Sequence, residues 1–242
     1  FFFNEQPFFR PLYTYALGNN VFYVENYFRI NKIFLKDEKK EKQIFWKNLT
    51  WSRYVVWNEA HKSFIKKNQI INAKYYIMGP ISFGTEKLEK INNKFEKSVL
   101  VFDAIPFRRS YISVYNTYSE TFHEKNILKF LGDICDLSDD ISLHIKPKRT
   151  QYLNIFSKKY NQYLKNNKKF NILNPEYSPQ DIIKQFDKII CLPFSTTAWI
   201  AKKMNKKVCY YDVVGLHKDF GNIINEIPII RNFSELQKWV QD

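Results

Sequence analysis

Cys191-Leu192-Pro193-Phe194-Ser195-Thr196-Thr197-Ala198-Trp199-Ile200-Ala201-Lys202-Lys203 is the stretch whose reading decides the fold. It grows out of the apolar run Ile189-Ile190-Cys191-Leu192 and leads to a second one, Val208-Cys209-Tyr210-Tyr211-Asp212. The order is strand, hydroxyl-rich turn, helix, strand, and such a crossover joins parallel strands. Ser195, Thr196 and Thr197 set three hydroxyls at the helix start, beside backbone N–H groups that have no partner within the helix. The helix dipole favours an anion there, and phosphate groups bind at such places. The same residues also suit a plain N-cap that only closes the helix. The anion reading gains equal standing from its place, the carboxyl end of a strand in a parallel sheet, where open α/β folds hold their ligands.

Outward from this stretch, the pattern from Lys97 to the end is regular. Strands are expected at Val99–Asp103, Ile141–Lys146, Phe170–Leu173, Ile189–Leu192, Val208–Tyr211 and Ile227–Ile230. Helices are expected at Ser119–Leu137, Thr150–Lys165, Pro179–Phe186, Thr196–Asn205, Lys218–Asn225 and Ser234–Val240. Ser178 before Pro179 marks one helix start, and Ser234 before Glu235 another. Strands alternating with helices predict a six-stranded, mainly parallel sheet with both faces covered, a Rossmann-like domain of about 145 residues.

Residues 1–96 read as part of a second α/β domain whose beginning is missing. Val21–Val24, Tyr54–Trp57 and Tyr75–Met78 have strand character, Asn58–Asn68 has helical spacing, and Gly79-Pro80 makes a sharp turn. The charge run Lys36–Lys42 is expected as a solvated loop or helix face, and Ile81–Glu96 as a linker. The chain opens Phe1-Phe2-Phe3 rather than on methionine, which points to a truncated N-terminus.

With 45% hydrophobic residues and abundant Phe and Tyr, the chain is globular rather than disordered. Its formal charge of +14 is mostly Lys spread over the whole length, so it permits anionic partners and specifies none. Cys135, Cys191 and Cys209 lack metal-ligand spacing and read as buried free thiols, in keeping with a reducing cytoplasm. The four histidines show no zinc-type pairing, and no metal or cofactor is expected. No apolar run reaches the length of a membrane span.

Three strand ends carry polar groups. Ile141–Lys146 delivers Lys146, Pro147, Lys148 and Arg149; the proline stiffens the turn, so that Lys146 and Lys148 can face the same crevice as Ser195–Thr197. A solvated basic turn is the alternative. Val99–Asp103 leads through Asp103 to Arg108 and Arg109. Asp212 closes the fifth strand, where it could take a sugar hydroxyl, beside Tyr210 and Tyr211, which could stack on a base; a strand terminator beside core aromatics is the other reading. A phosphorylated ligand explains the convergence. The absence of Gly-x-Gly-x-x-Gly and Walker patterns weighs against a dinucleotide oxidoreductase or a P-loop NTPase. In the first portion Glu59 and His61 follow a strand, where a carboxylate suits a general base and equally suits a helix N-terminus.

The run from Pro193-Phe194-Ser195-Thr196-Thr197-Ala198 to Tyr210-Tyr211-Asp212, with Lys146-Pro147 and Phe102–Arg108 upstream, resembles bacterial surface-polysaccharide glycosyltransferases of the two-domain GT-B type. It is similar to sialyltransferases and Kdo transferases that use CMP-activated sugars. Those enzymes carry a His-Pro motif after one strand and a Ser-Ser or Ser-Thr motif at a later helix start. Here Lys146-Pro147 stands in the first place, with the histidine displaced to His144, and Ser195-Thr196 in the second.

The resemblance implies a GT-B-like architecture, with residues 97–242 binding a nucleotide-sugar donor and residues 1–96 serving the acceptor. Asp103, Arg108, Arg109, Lys146, Pro147, Lys148, Ser195, Thr196, Thr197 and Asp212 would hold the donor, and Glu59 with His61 would supply the base. It also implies a glycan or lipid-linked glycan acceptor, and a cytoplasmic enzyme resting peripherally on an anionic inner leaflet, with no nucleic acid. A sugar-nucleotide epimerase of the same fold, or a basic nucleic-acid-binding module with a steep salt dependence, remain the alternative classes.

Overall fold

The computed structural model describes residues 2–3, 22–24, 51–68, 72–78, 98–104, 106, 120–137, 139–148, 158–193, 195–217 and 227–242. They fall into two compact units, each built on its own parallel sheet. The expected linker, the Lys36–Lys42 run, Gly79-Pro80, the helix at Lys218–Asn225, and Arg108 and Arg109 lie outside the described residues.

The first unit holds β1 (Phe2–Phe3), β2 (Phe22–Val24), β3 (Arg53–Val56), α1 (Glu59–Asn68) and β4 (Lys74–Ile77), with strands in the order β1-β2-β3-β4 and every pairing parallel. β1 was not expected from the sequence: two residues carry no periodicity, and the pairing of Phe2 with Phe22 and of Phe3 with Tyr23 is what makes them a strand. Trp51, Tyr54, Val56, Trp57 and Ile65 are buried.

The second unit comprises β5 (Ser98–Phe102), α2 (Glu124–Cys135), β6 (Ser142–Lys146), α3 (Lys158–Asn166), β7 (Phe170–Ile172), α4 (Pro179–Lys184), β8 (Lys188–Cys191), α5 (Thr196–Lys203), β9 (Lys207–Tyr211), β10 (Ile229–Ile230) and α6 (Phe233–Gln241). Its strand order is β7-β6-β5-β8-β9-β10, all parallel. This is the doubly wound order 3-2-1-4-5-6 of dinucleotide-type folds. All five residues of the central β5 are buried, as a strand covered on both faces requires. Alternation then sorts the side chains. Val99, Val101, Leu143, Ile145, Ile190, Leu192, Cys209 and Tyr211 share one core with Ile127, Phe130 and Leu131 of α2, Tyr160 and Leu164 of α3, and Leu236 and Val240 of α6. Ile182 and Ile183 of α4 and Ala198 and Ala201 of α5 are buried outside that cluster, over the other face.

Two helix starts differ from expectation. The helix over Ser119–Leu137 is broken: a 3-10 turn, Glu120–Phe122, precedes His123, whose ring accepts from Lys125 N–H at 3.2 Å and starts α2. Asn232, not Ser234, caps α6, its side-chain oxygen accepting from Glu235 N–H at 2.9 Å. Asn and Ser cap about equally well, so the position one turn before Glu235 wins on geometry rather than residue type.

α5 ends in a left-handed residue. Asn205 has φ 56°, Lys206 N–H donates to Ala201 O at 3.0 Å, and Asn205 N–H donates to Lys202 O at 3.0 Å, together a Schellman closure. Asn205→Gly is expected to leave stability unchanged or slightly raised, whereas Asn205→Ala should cost about 1 kcal/mol, because an alanine strains in that region. Urea unfolding of the two variants separates these outcomes.

Candidate functional site

Strands are added from β5 outward to β7, and the chain then returns to place β8 on the other side of β5. At such a reversal the connections leave toward opposite faces, and a crevice opens at the carboxyl ends of the two central strands. The register sets Phe102 opposite both Lys146 and Cys191. Asp103, Pro147 and Leu192 therefore leave the sheet side by side. The structure brings the expected β5, β6 and β8 ends to one edge.

On the β8 side, Ser195 is the N-cap of α5, extended at φ −74° and ψ 145°, yet its side chain makes no cap hydrogen bond. Its hydroxyl lies 3.2 Å from Thr197 Oγ1, which in turn lies 3.6 Å from Cys191 Sγ. Burial pushes the Cys191 thiol up to about 11, so it stays neutral beside the turn. No acidic residue stands in the first turn, while Lys202 and Lys203 occupy the last. The positive end of the dipole is left uncompensated from within the helix, and the hydroxyls do not close it. Ser195, Thr196 and Thr197 are all half-buried, within reach of a ligand.

On the β6 side the expected cations part company. Lys146 is buried, and its Nζ donates to Pro175 O at 2.8 Å, tying down the turn after β7. Burial lowers its pKa, against the pull of Asp103 and Glu176. It acts as an anchor here rather than as a cation facing the crevice: it shares the His144 side of β6, and that side is covered. His144 itself is buried, 3.0 Å from Ser142 Oγ and edge-on to Phe186, with its pKa lowered by burial. Pro147 is buried and Lys148 exposed.

Between the two sides stands Asp103, only 9% exposed. One carboxyl oxygen accepts from Lys148 N–H at 3.2 Å, and the other accepts from the Tyr160 hydroxyl. Burial raises its pKa to about 8, although the Lys148 amide and the charges of Lys148 and Lys146 work the other way. A carboxyl that is largely neutral at pH 7 can lie beside a phosphate. Tyr160 was missed by sequence reasoning. It sits 57 residues away on α3, and its spacing to Leu164 marks it only as a core position.

Asp212 is not brought into this set. It is fully buried, accepting from Gly215 N–H at 3.1 Å and His217 N–H at 2.9 Å, with His217 Nδ1 at 3.0 Å. Burial pushes its pKa up, but the His217 and Gly215 bonds together outweigh that and hold it below the usual carboxylate value. Asp212 closes the turn after β9, in which Gly215 takes φ 68°. Tyr210 is enclosed, and Tyr211 donates to Asp133 Oδ2 at 2.5 Å, so both are core residues rather than stacking surfaces.

In the first unit, Glu59 is exposed in the opening turn of α1 and pairs with Lys62 at 3.1 Å. His61 is fully enclosed. Its backbone N–H donates to Asn58 Oδ1 at 2.8 Å, and its Nδ1 accepts from Trp57 N–H at 3.5 Å. Burial lowers its pKa to about 3, which leaves it a neutral packing residue. An open groove of about 550 Å³ beside α2 and α3 is lined by Leu128, Lys159, Tyr163, Asn167 and Lys168 among others.

Over residues 1–240 the chain matches the family described as polysaccharide biosynthesis PFTS motif protein, and it belongs to that family. No curated protein matches it. Among solved structures it is similar to TarM, at 14% identity and a TM-score of 0.47, over 91% of this chain and 42% of that one. It is also similar to a point mutant of S. aureus TarM in complex with fondaparinux, alpha-GlcNAc-glycerol and UDP, at 13% identity and a TM-score of 0.46, over 92% of this chain and 44% of that one. The chain thus spans less than half the length of either.

The buried state of His61 has a direct consequence. Its folded pKa of about 3 lies below the ordinary 6.5, so its contribution to stability is present above pH 6.5 and is lost as pH falls toward 3. His61→Gln, which cannot charge, should lack this part of the acid loss. Denaturant unfolding at several pH values in that window measures the difference.

Proposed function

We propose that this member of the polysaccharide biosynthesis PFTS motif family is a GT-B-type glycosyltransferase, whose residues 97–242 bind a nucleotide-sugar donor and whose residues 1–96 serve the acceptor. The observation that carries the reading is the start of α5. It lies at the topological switch point, has no acid in its first turn and no side-chain cap, and is faced from neighbouring strand ends by exposed Lys148 and by a largely protonated Asp103. Family membership favours glycan assembly as the setting.

In this reading the donor phosphate lies against the Thr196 and Thr197 amides and the Ser195, Thr196 and Thr197 hydroxyls. Transfer breaks the bond between the anomeric carbon and the phosphate oxygen, and an acceptor hydroxyl forms the new one. Negative charge gathers on the departing phosphate. Preorganised amides and Lys148 stabilise that charge from within the chain, with no reorganisation at the moment of reaction. Glu59, exposed at the start of α1, is the base that takes the acceptor proton. His61 is left out of the proton transfer in this reading because it is fully enclosed, with no face open to an acceptor. The Lys146-Pro147 and Ser195-Thr196 motifs favour a CMP-activated donor. The acceptor is a glycan or lipid-linked glycan, reached from the cytoplasmic face of an anionic membrane.

The test is a screen of CMP-, UDP- and GDP-sugars for thermal stabilisation, because a ligand held only by the native state raises apparent stability. One class should stabilise the protein, with CMP-sugars expected. Ser195→Ala with Thr196→Ala should weaken that binding by roughly 1.5–3 kcal/mol for each lost bond to a charged group, with circular dichroism unchanged. Unaltered affinity in the folded double variant would remove the α5 start from the site. Release of an epimerised sugar without transfer to any acceptor would replace the transferase by an epimerase.

A further inference from the structure

We propose that Asp103, braced by Tyr160, is the positioning residue of the crevice, fixing the main chain at Lys148 beside the anion that the start of α5 receives. The inference rests on the reading of the crevice given above and assigns a role to Tyr160, which no motif marks. Its basis is geometric. Asp103 is the first residue beyond β5, at the switch point, and its two carboxyl oxygens engage two different elements. One accepts from Lys148 N–H at 3.2 Å, just past β6; the other takes the hydroxyl of Tyr160 from α3, a side chain only 1% exposed within the main core. A core residue therefore holds the carboxyl, and the carboxyl holds the turn that presents Lys148.

Among the described residues, the groups facing Asp103 are Lys146 and Lys148 from the β6 end and Tyr160 from α3, while its neighbour on β8 is the apolar Leu192. Burial outweighs the two lysines and keeps the carboxyl protonated up to about pH 8. An anion in the crevice meets a neutral acid below that value and a like charge above it. By linkage, a bound anion then favours the protonated form, and its affinity falls as pH rises through the titration.

The experiment is calorimetric titration with CMP-N-acetylneuraminate and UDP-N-acetylglucosamine, whose phosphodiester charges stay constant over the range used. From about pH 6 to about pH 8.5, wild-type affinity should weaken about fourfold. Binding near pH 8 should take up a fraction of a proton, read from buffers of different ionisation enthalpy, and binding near pH 6 should take up none. Asp103→Asn keeps the size and the acceptor for Lys148 N–H, meets the Tyr160 hydroxyl oxygen with an amide donor instead, and cannot ionise, and its affinity should be the same at both pH values. Tyr160→Phe should bind several-fold more weakly at both.

Wild-type binding without proton uptake, or an Asp103→Asn variant that keeps the wild-type slope, overturns the role of Asp103. The proton-uptake measurement decides this on the wild type alone if the variant does not fold. Wild-type affinity in Tyr160→Phe overturns the brace. Failure of the wild type to bind either sugar at any pH removes the crevice reading, and this proposal with it.

Discussion

The parallel register that sets Phe102 between Lys146 and Cys191 is the constraint on which the rest of the six-stranded unit depends. A strand paired in parallel on both sides has to be covered on both faces, and each connection has to cross back over the sheet. Strand ends of one polarity therefore gather along one edge, with helix starts beside them. Asp103, Lys148 and the Ser195 turn are neighbours for that reason, although they lie up to 92 residues apart in the chain. The chemistry of the edge follows from topology before any side chain is chosen.

The same coverage constrains the polar groups the strands carry outward. Asp103, Lys146, Asp212 and His144 are all buried, and each is held by its own chain: Asp103 by Lys148 and Tyr160, Lys146 by Pro175 O, Asp212 by Gly215 and His217, and His144 beside Ser142. An unpartnered buried polar group would cost about 1–3 kcal/mol, which explains why so many residues that look functional in the sequence have structural work. The start of α5 departs from this pattern. Its cap hydroxyl turns toward Thr197 and makes no cap bond, so that among the described residues the first-turn amides have no side-chain acceptor, at an edge where a ligand can supply one.

How much the sequence reveals follows the same division. All six strands of the larger unit are legible, because Val99–Phe102, Ile189–Cys191 and Val208–Tyr211 are apolar runs bounded by turn chemistry, and burial on both faces demands such runs. The start of α5 is legible because a hydroxyl cluster after a strand has few other uses. What escapes is whatever depends on distant partners. Whether Lys146 faces the crevice or Pro175 depends on which side of β6 is covered, and the ammonium charge is the same in either case. Tyr160 reads as one more aromatic in a helix, and its bond to Asp103 exists only after α3 packs on the sheet. Asp212 reads as a ligand contact until the turn to His217 folds back onto it.

The excess of lysine yields to the same topology. In a parallel fold, strand starts and helix ends meet along the edge opposite the crevice, and there the C-terminal carbonyls of the helices need donors. α2 has no basic residue in its own last turn, and Lys169, just before β7, donates to Cys135 O at 3.1 Å. Lys206, just before β9, donates to Lys184 O of α4 at 3.2 Å, and Lys188 at the start of β8 donates to Val240 O of α6. Lys165, Lys184, Lys202, Lys203 and Lys238 stand in the last turns of α3, α4, α5 and α6. A cation at a helix C-terminus stabilises it by about 0.3–1 kcal/mol, so these charges have a use inside the fold that requires no polyanion. A nucleic-acid footprint would set its cations where they face outward together, whereas three of these ammonium groups turn back onto carbonyls. Among the described residues, the positive charge at the other edge comes from the α5 dipole and Lys148, a local field suited to a small anion.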